Sequence, residues 1–533
     1  VKGDLNFRFS SNIWLGNGRE GLIWQAESDK DWNYEDPNRA IEILPRTDLT
    51  TFRAHWINVP TQLASGQTLH YKFALEATPI KPRLRDAWDL RIMRDEPYGR
   101  SLELPDETIE GVPALRYFSE IGLRHLFVFI NDIWPYPMPV HQKYIKALHR
   151  LVQAAHAEGL KLYEYNIHQR YPVVTPEFDI HGLHMAKRPV HQYVPPINPI
   201  GAKRPGGVAY GYGADSQGTV FSCPKSLALQ DSYIHALAER LDTFGDDGVY
   251  LDGTSHVVPC HNLMHGCGYQ STDGSVAPTR PVFAVRDFMR RIYTVIKTRN
   301  PEGVVDVHCS FGQNMAAVAY ADNLWTGEQW HHLRHTGTDH VASELTFDKF
   351  RTEFTGLQSG VSADTLAYRL GPPLKVAGIS LLHDVPVRAN SIEREIIEKG
   401  QREAGKEYYK DRLIKLWDVR ERFGAEEEVA RKLFYYENQD YVRVSPGDCY
   451  STLIWHPTNG VLAVVSNLST EPKTVSVDFD LDRLNLSGKK IHAVNAIYDH
   501  PLEMSLDGEI PLSLDAEDWT YILIRPVSAQ NQN

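Results

Sequence analysis

The pattern of apolar positions changes character twice along the chain. From residue 1 to 84 it consists of short extended runs broken by turn signals, such as Ile13-Trp14-Leu15 before Gly16-Asn17-Gly18, and carries no helical stripe. That predicts an all-β domain. Pro79, Pro82 and the charged stretch Arg83-Leu84-Arg85-Asp86 mark the exit from it. From 85 to 428, helical stripes alternate with short apolar runs, as repeated β-α units around a parallel sheet do. Leu115, Phe118 and Ile121 precede the run His125 to Ile130, and Ile145, Leu148, Val152 and Ala155 precede Leu160 to Tyr165. Ile234, Leu237, Ala238 and Leu241 precede Gly248 to Gly253, and Val285, Phe288, Met289, Ile292, Val295 and Ile296 precede Val304 to His308. Further strands are expected near Trp88 to Met93, at Asn323 to Thr326 and at Ala377 to Leu382. From 429 to 533 the pattern returns to alternation, with Val475, Val477 and Phe479 against Thr474, Ser476 and Asp478. The chain thus reads as a multidomain α/β protein: a central (β/α)8-type barrel (85–428), an N-terminal β-sandwich-like domain (1–84) and a C-terminal antiparallel β-sandwich domain (429–533).

Length supports that division, since 533 residues exceed what one core organises. Formal net charge is -12 with no block of Lys and Arg, which argues against a nucleic-acid partner. No apolar run approaches the ~18 residues of a membrane span. Aromatic residues make up 11% of the chain; they suit stacking on the C–H faces of sugars and equally suit a large core. The sequence begins at Val1 without an apolar leader, which fits a processed chain.

Two long insertions, 167–223 and 253–280, follow strands and so belong on the C-terminal rim of a barrel, where active sites are built. Hydrolysis of a glycosidic bond needs one carboxyl group to protonate the leaving oxygen and a second to attack the anomeric carbon or activate water. Asp252 ends the fourth predicted strand and Glu328 follows the sixth, with Asp252 expected as nucleophile and Glu328 as acid/base. A carboxyl separation near ~5–5.5 Å would give retention of configuration, and one above about 6.5 Å inversion. Asn131, Asp132, Trp134, Glu164, His168, His256, His265, His308, Trp330 and Asp384 stand where strands or rim loops should meet a substrate. Each is a candidate for hydrogen bonding or stacking to sugar, and Glu164 competes with either carboxylate.

The segment His256 to Cys267 is dense in Cys and His. Zinc held by Cys260, His265, Cys267 and either His256 or His261, a Cys260–Cys267 disulfide, and a His-lined pocket with free thiols all remain open. The pocket reading is preferred, with no metal and no cofactor, because the spacing matches no familiar zinc pattern.

The stretch Trp14-Leu15-Gly16-Asn17-Gly18-Arg19-Glu20-Gly21-Leu22-Ile23-Trp24-Gln25-Ala26-Glu27-Ser28-Asp29 resembles the N-terminal domain of glycoside hydrolase family 123. The resemblance implies the three-part layout and a glycan substrate. That family's substrate-assisted N-acetylgalactosaminidases carry an adjacent Asp-Glu pair after a barrel strand; here the only such pairs, Asp95-Glu96 and Asp106-Glu107, follow no strong strand. Tyr250-Leu251-Asp252-Gly253 is similar to the nucleophile strand of the retaining α-galactosidase clan, which implies an acid/base on the sixth strand. The expected function is a retaining glycoside hydrolase, with α-galactoside-like sugars favoured. A β-N-acetylgalactosaminidase and a non-catalytic carbohydrate-binding protein are the alternatives. A secreted or periplasmic location follows from that function alone, and a homo-oligomer stays open.

Overall fold

A computed structural model describes residues 3–83, 87–94, 101–109, 111–129, 137–138, 142–172, 175–187, 219–254, 257–271, 273–309, 313–327, 345–365, 373–388 and 409–527. The N-terminal domain is all β. Leu5–Phe7, Ile41–Pro45 and Thr50–Ala54 form one antiparallel sheet; Asn12–Gly16, Gly21–Ala26 and Phe73–Thr78 form another. Trp24 joins them, its ring 5.3 Å from Phe52 in the first sheet and 5.2 Å from Phe73 in the second. The domain is anchored to the barrel where Ile80 N–H donates to the Ser359 carbonyl and Lys81 Nζ donates to that of Ala321.

The central domain is built on a parallel sheet of seven strands, here β1 (Ile92–Arg94), β2 (His125–Val128), β3 (Lys161–Asn166), β4 (Gly248–Leu251), β5 (Val304–His308), β6 (Asn323–Thr326) and β7 (Ser362–Thr365), which pair in chain order. Both faces of such a sheet are covered. Helices Leu227–Phe244 and Val282–Arg299 bury Leu237, Leu241, Val285, Phe288 and Ile292 against Val249, Leu251, Val305 and Val307 on the outer face. The first of these helices starts at Ser226, whose Oγ accepts from Leu229 N–H, and stops at Gly245, whose φ of +74° closes the last turn. Beyond β7, Val387 makes a single parallel bridge to Thr365, on the side where an eighth strand of such a barrel would pair.

The eighth position is not where the sequence placed its last strand. Ala377 to Leu382 lies inside the helix Pro373–Leu382. A run apolar on all sides is ambiguous between a buried strand and a buried helix, and here Pro at the first helical position and an element of ten residues decide for the helix. The seventh strand is instead Ser362–Thr365, whose Ser, Asp and Thr give it no apolar signature.

The C-terminal domain has a six-stranded and a three-stranded antiparallel sheet. Val475, Val477 and Phe479 on Lys473–Phe479 and Ile522 and Ile524 on Trp519–Pro526 fill the space between them, as the alternation predicts. Among the described residues, no helix is long and apolar enough to cross a membrane.

Candidate active site

Alternation along each strand sorts side chains between the barrel interior and the helical layer. Ile92, Phe127, Tyr163, Tyr250, Val304 and Trp325 form one interior layer, with Phe127 and Tyr250 stacked at 4.5 Å. The same parity brings Tyr165 above Tyr163, Asp252 above Tyr250, and His308 above Asp306 on the inner face. Asp252 is therefore delivered to the barrel mouth at the C-terminal end of β4. Gly253 follows with φ +65°, a conformation open to glycine, and this sharp turn aims its own N–H at Asp252 Oδ1, 2.7 Å away.

Two further donors hold the same carboxylate. Tyr165 hydroxyl donates to Oδ2, and His308 Nδ1 donates to Oδ1 at 2.9 Å. Burial by itself raises a carboxyl pKa; the hydrogen bond and charge of His308, then Tyr165 and the Gly253 N–H, outweigh it and hold Asp252 at about 2. The group is ionised at neutral pH, yet its side chain keeps 22% of its surface open, enough to meet a substrate. His308 is fixed in turn by Trp325, with ring centroids 4.9 Å apart.

Beneath this layer lies a buried ionic floor. Arg388 Nη2 donates to both oxygens of Asp306 at 3.0 and 2.9 Å, and its Nε donates to Asp364 Oδ2 at 2.6 Å. Tyr163 hydroxyl and Asn323 Nδ2 also donate to Asp306, at 3.2 and 3.0 Å. The guanidinium lies 4.5 Å from the Trp325 ring. Burial, against the pull of Arg388 and with the push of Asp306, raises Asp364 to about 6.

The sequence candidates divide accordingly. Asp252 and His308 are brought together. Glu328, Asn131, Asp132, Trp134, His256 and Trp330 lie outside the described residues. Four expectations are corrected. Glu164 sits between the inward Tyr163 and Tyr165 and so points into the helical layer, where it is fully buried and ion-paired with Arg240, itself held by Asp246. His168 is fully buried with its ring against Phe288, and burial pushes it down to about 3, leaving it neutral. His265 faces cysteines: its Nε2 is 3.2 Å from Cys260 Sγ. Asp384 does not end a strand; it follows the helix Pro373–Leu382 with φ +57° and accepts from Trp88 Nε1 at 2.9 Å and Arg420 Nη2 at 2.8 Å. Despite burial, the charges of Lys432, Arg420 and Arg83 around Asp384 keep its pKa far below the usual carboxylate range. It joins the interdomain link, the barrel and the C-terminal domain.

Tyr165, Asp306, Asp364 and Arg388 were missed. Parity could have found the first two, since Tyr165 opposes Glu164 and Asp306 shares a face with His308. Arg388 carries no local signal, because its partners come from β5 and β7. All five cysteines are free thiols, which excludes the Cys260–Cys267 disulfide from this structure.

No protein-family model and no curated protein matches the sequence. Among solved structures, the fold is similar to that of a noncanonical maltogenic α-amylase from Thermotoga neapolitana, with 14% identity, a TM-score of 0.50, and 83% of this chain and 99% of that one covered. It is also similar to an Anoxybacillus α-amylase, with 10% identity, a TM-score of 0.51 and coverage of 83% and 99%. At these identities the likeness is one of fold: a (β/α)8-type barrel followed by a β domain. The resemblance to family 123 gains no support from a family model. Of the Asp-Glu pairs it would need, Asp95-Glu96 is outside the described residues, and Asp106 lies on the surface, paired with Arg150 at 2.8 Å.

Proposed function

We propose that this chain is a glycoside hydrolase acting on an oligosaccharide or polysaccharide with retention of configuration, Asp252 being the nucleophile and Glu328 the acid/base. The observation that carries the reading is the clamped, ionised carboxylate at the end of β4. Three donors converge on Asp252, so it is suited to attack an anomeric carbon and unsuited to deliver a proton. The same donors would accept the carboxylate back as a leaving group when water releases the sugar. The similarity in fold to two α-amylases supports a glycan substrate. The Tyr250-Leu251-Asp252-Gly253 likeness favours α-galactoside-like sugars.

The test is release of reducing sugar and of aryl aglycone from a panel that includes galactosides, glucosides and acetamido sugars. Wild type is expected to turn over at least one α-linked substrate, Asp252→Asn and Glu328→Gln to lose turnover with unchanged melting, and Asp252→Gly with azide to regain it as a glycosyl azide of inverted configuration. Turnover of acetamido sugars alone would favour the N-acetylgalactosaminidase reading. Glycan binding without turnover by wild type would favour a binding protein. Near-normal activity in both amide variants would sink the assignment.

A further inference from the structure

Cys223, Cys260, His265 and Cys267 converge from two separate rim insertions, and their four ligand atoms all lie within 4.8 Å of one another. We infer that they form a structural zinc site that fastens the two insertions together beside the barrel mouth, independently of what the barrel catalyses.

The spacing decides between the chemistries open to clustered thiols. A tetrahedral ion with Zn–S of about 2.3 Å sets neighbouring sulfurs about 3.8 Å apart. Cys223 Sγ and Cys267 Sγ are 3.8 Å apart, and Cys260 Sγ is 3.2 Å from His265 Nε2. A disulfide would need about 2.05 Å between sulfurs. The imidazole is already set for ligation: His265 Nδ1 is 2.6 Å from the His184 carbonyl, which fixes the proton on Nδ1 and leaves Nε2 as the lone-pair nitrogen facing the sulfurs.

The backbone is shaped around the cluster. Asn262 Oδ1 accepts from Met264 N–H at 3.0 Å, capping the single turn Leu263–His265, and Gly266 at φ +76° reverses the chain so that Cys267 N–H reaches the Asn262 carbonyl at 3.1 Å. That turn places three ligands within eight residues. Cys223 arrives from the other insertion, held where its N–H donates to the Met185 carbonyl at 2.8 Å. This partner, which the sequence reading sought at His256 or His261, is distant in the chain and so invisible to spacing.

The three cysteines are at most 1% exposed, which suits a closed four-ligand structural site and leaves no open position for catalysis. Zinc with three thiolates and a neutral imidazole carries a net negative charge, and the nearby cation is Lys187, a buried residue whose backbone carbonyl lies 3.4 Å from Cys260 Sγ. Lys187 Nζ also donates to Gln169 Oε1 at 3.1 Å, and Gln169 Nε2 donates to the Gly253 carbonyl at 2.9 Å. The cluster is thereby wired to the turn that carries Asp252. Gly266 and Cys267 line a cavity of about 120 Å3 against the N-terminal β domain.

The full-length chain, purified without chelator, is expected to hold one zinc per molecule by elemental analysis. After removal of zinc with a mercurial, Co2+ is expected to restore stoichiometry with the strong visible bands of a tetrahedral thiolate complex. Cys223→Ser and Cys267→Ser should lose at least ten-fold in zinc affinity, His265→Cys should retain the metal, and Cys449→Ser, in the C-terminal domain, should match wild type. Wild type that holds no stoichiometric metal and takes up no cobalt would overturn the proposal, whether its five thiols then titrate as free or mass analysis finds a disulfide. Metal content that survives loss of Cys223 and Cys267 together would overturn it as well.

Discussion

Arg388→Met isolates the ionic floor under the candidate site and has a magnitude that can be worked out. Arg388 and Asp306 side chains are both fully buried, with two hydrogen bonds between them. Without the guanidinium, a carboxyl group buried in that setting has no counter-ion and is held in its neutral form instead. From an unfolded carboxyl pKa of about 3.9, keeping one such group protonated costs about 4 kcal/mol at pH 7 and about 1.5 kcal/mol at pH 5. The first figure agrees with the ~3–5 kcal/mol typical of breaking a buried pair. For a barrel of about 340 residues the unfolding entropy is roughly 0.7 kcal/mol/K, so melting should fall by about 6 °C at pH 7 and about 2 °C at pH 5. The sign follows from proton binding: the folded variant holds a proton the unfolded chain releases, so its stability falls as pH rises through that window. Calorimetry of the barrel transition at the two pH values is the assay. Adding Asp306→Asn and Asp364→Asn to the variant should recover most of the loss at pH 7. A loss that is equal at both pH values, or below about 1 °C at pH 7, would refute the account of Arg388 as counter-ion to buried carboxylates.

Two further outcomes are expected. Asp252, held at about 2, contributes stability and reactivity that are present above the ordinary carboxyl value and vanish as pH falls through about 2; His308→Asn removes the strongest of the opposing influences, so the acidic limb of the kcat/KM profile should move upward, and an unmoved limb would show that His308 does not govern this carboxylate. Glu164→Gln should leave kcat/KM within about three-fold, because its partner Arg240 keeps Asp246 and neither faces the barrel mouth; loss of turnover comparable to Asp252→Asn at unchanged melting would return Glu164 to the site.

Much of the fold was legible because it is written in local periodicity. The helices Leu227–Phe244 and Val282–Arg299 carry their stripes in full, and β2 to β5 are bounded apolar runs. Failure came where local signal and tertiary role part company. Val376 to Leu382 is as apolar as any strand because it is buried on all sides as a helix, while Ser362–Thr365 is polar because it faces an arginine in the interior. A strand that carries half of an ion pair loses the hydrophobicity by which strands are recognised, and the missing half lies more than twenty residues away.

The same distinction governs the site. The position of Asp252 at the end of β4 was legible because one residue type ends one strand before one glycine, all within a few positions. Glu164 was misread for want of a single step: in a strand with two tyrosines flanking a glutamate, the pleat allows either the tyrosines or the glutamate inside, and Tyr163, Phe127 and Tyr250 already form a continuous aromatic layer. The cysteine cluster sits at the other extreme. Three of its ligands lie in a readable segment, yet the fourth is 37 residues before Cys260, a separation that only the folding of both insertions can close. Spacing rules for zinc rest on pairs of ligands close together in the chain, and Cys223, a lone ligand on its insertion, belongs to no such pair. The cluster's ligands are then identified by the geometry that the thiols and the imidazole adopt, and the metal content of the purified chain is the observation on which that identification turns.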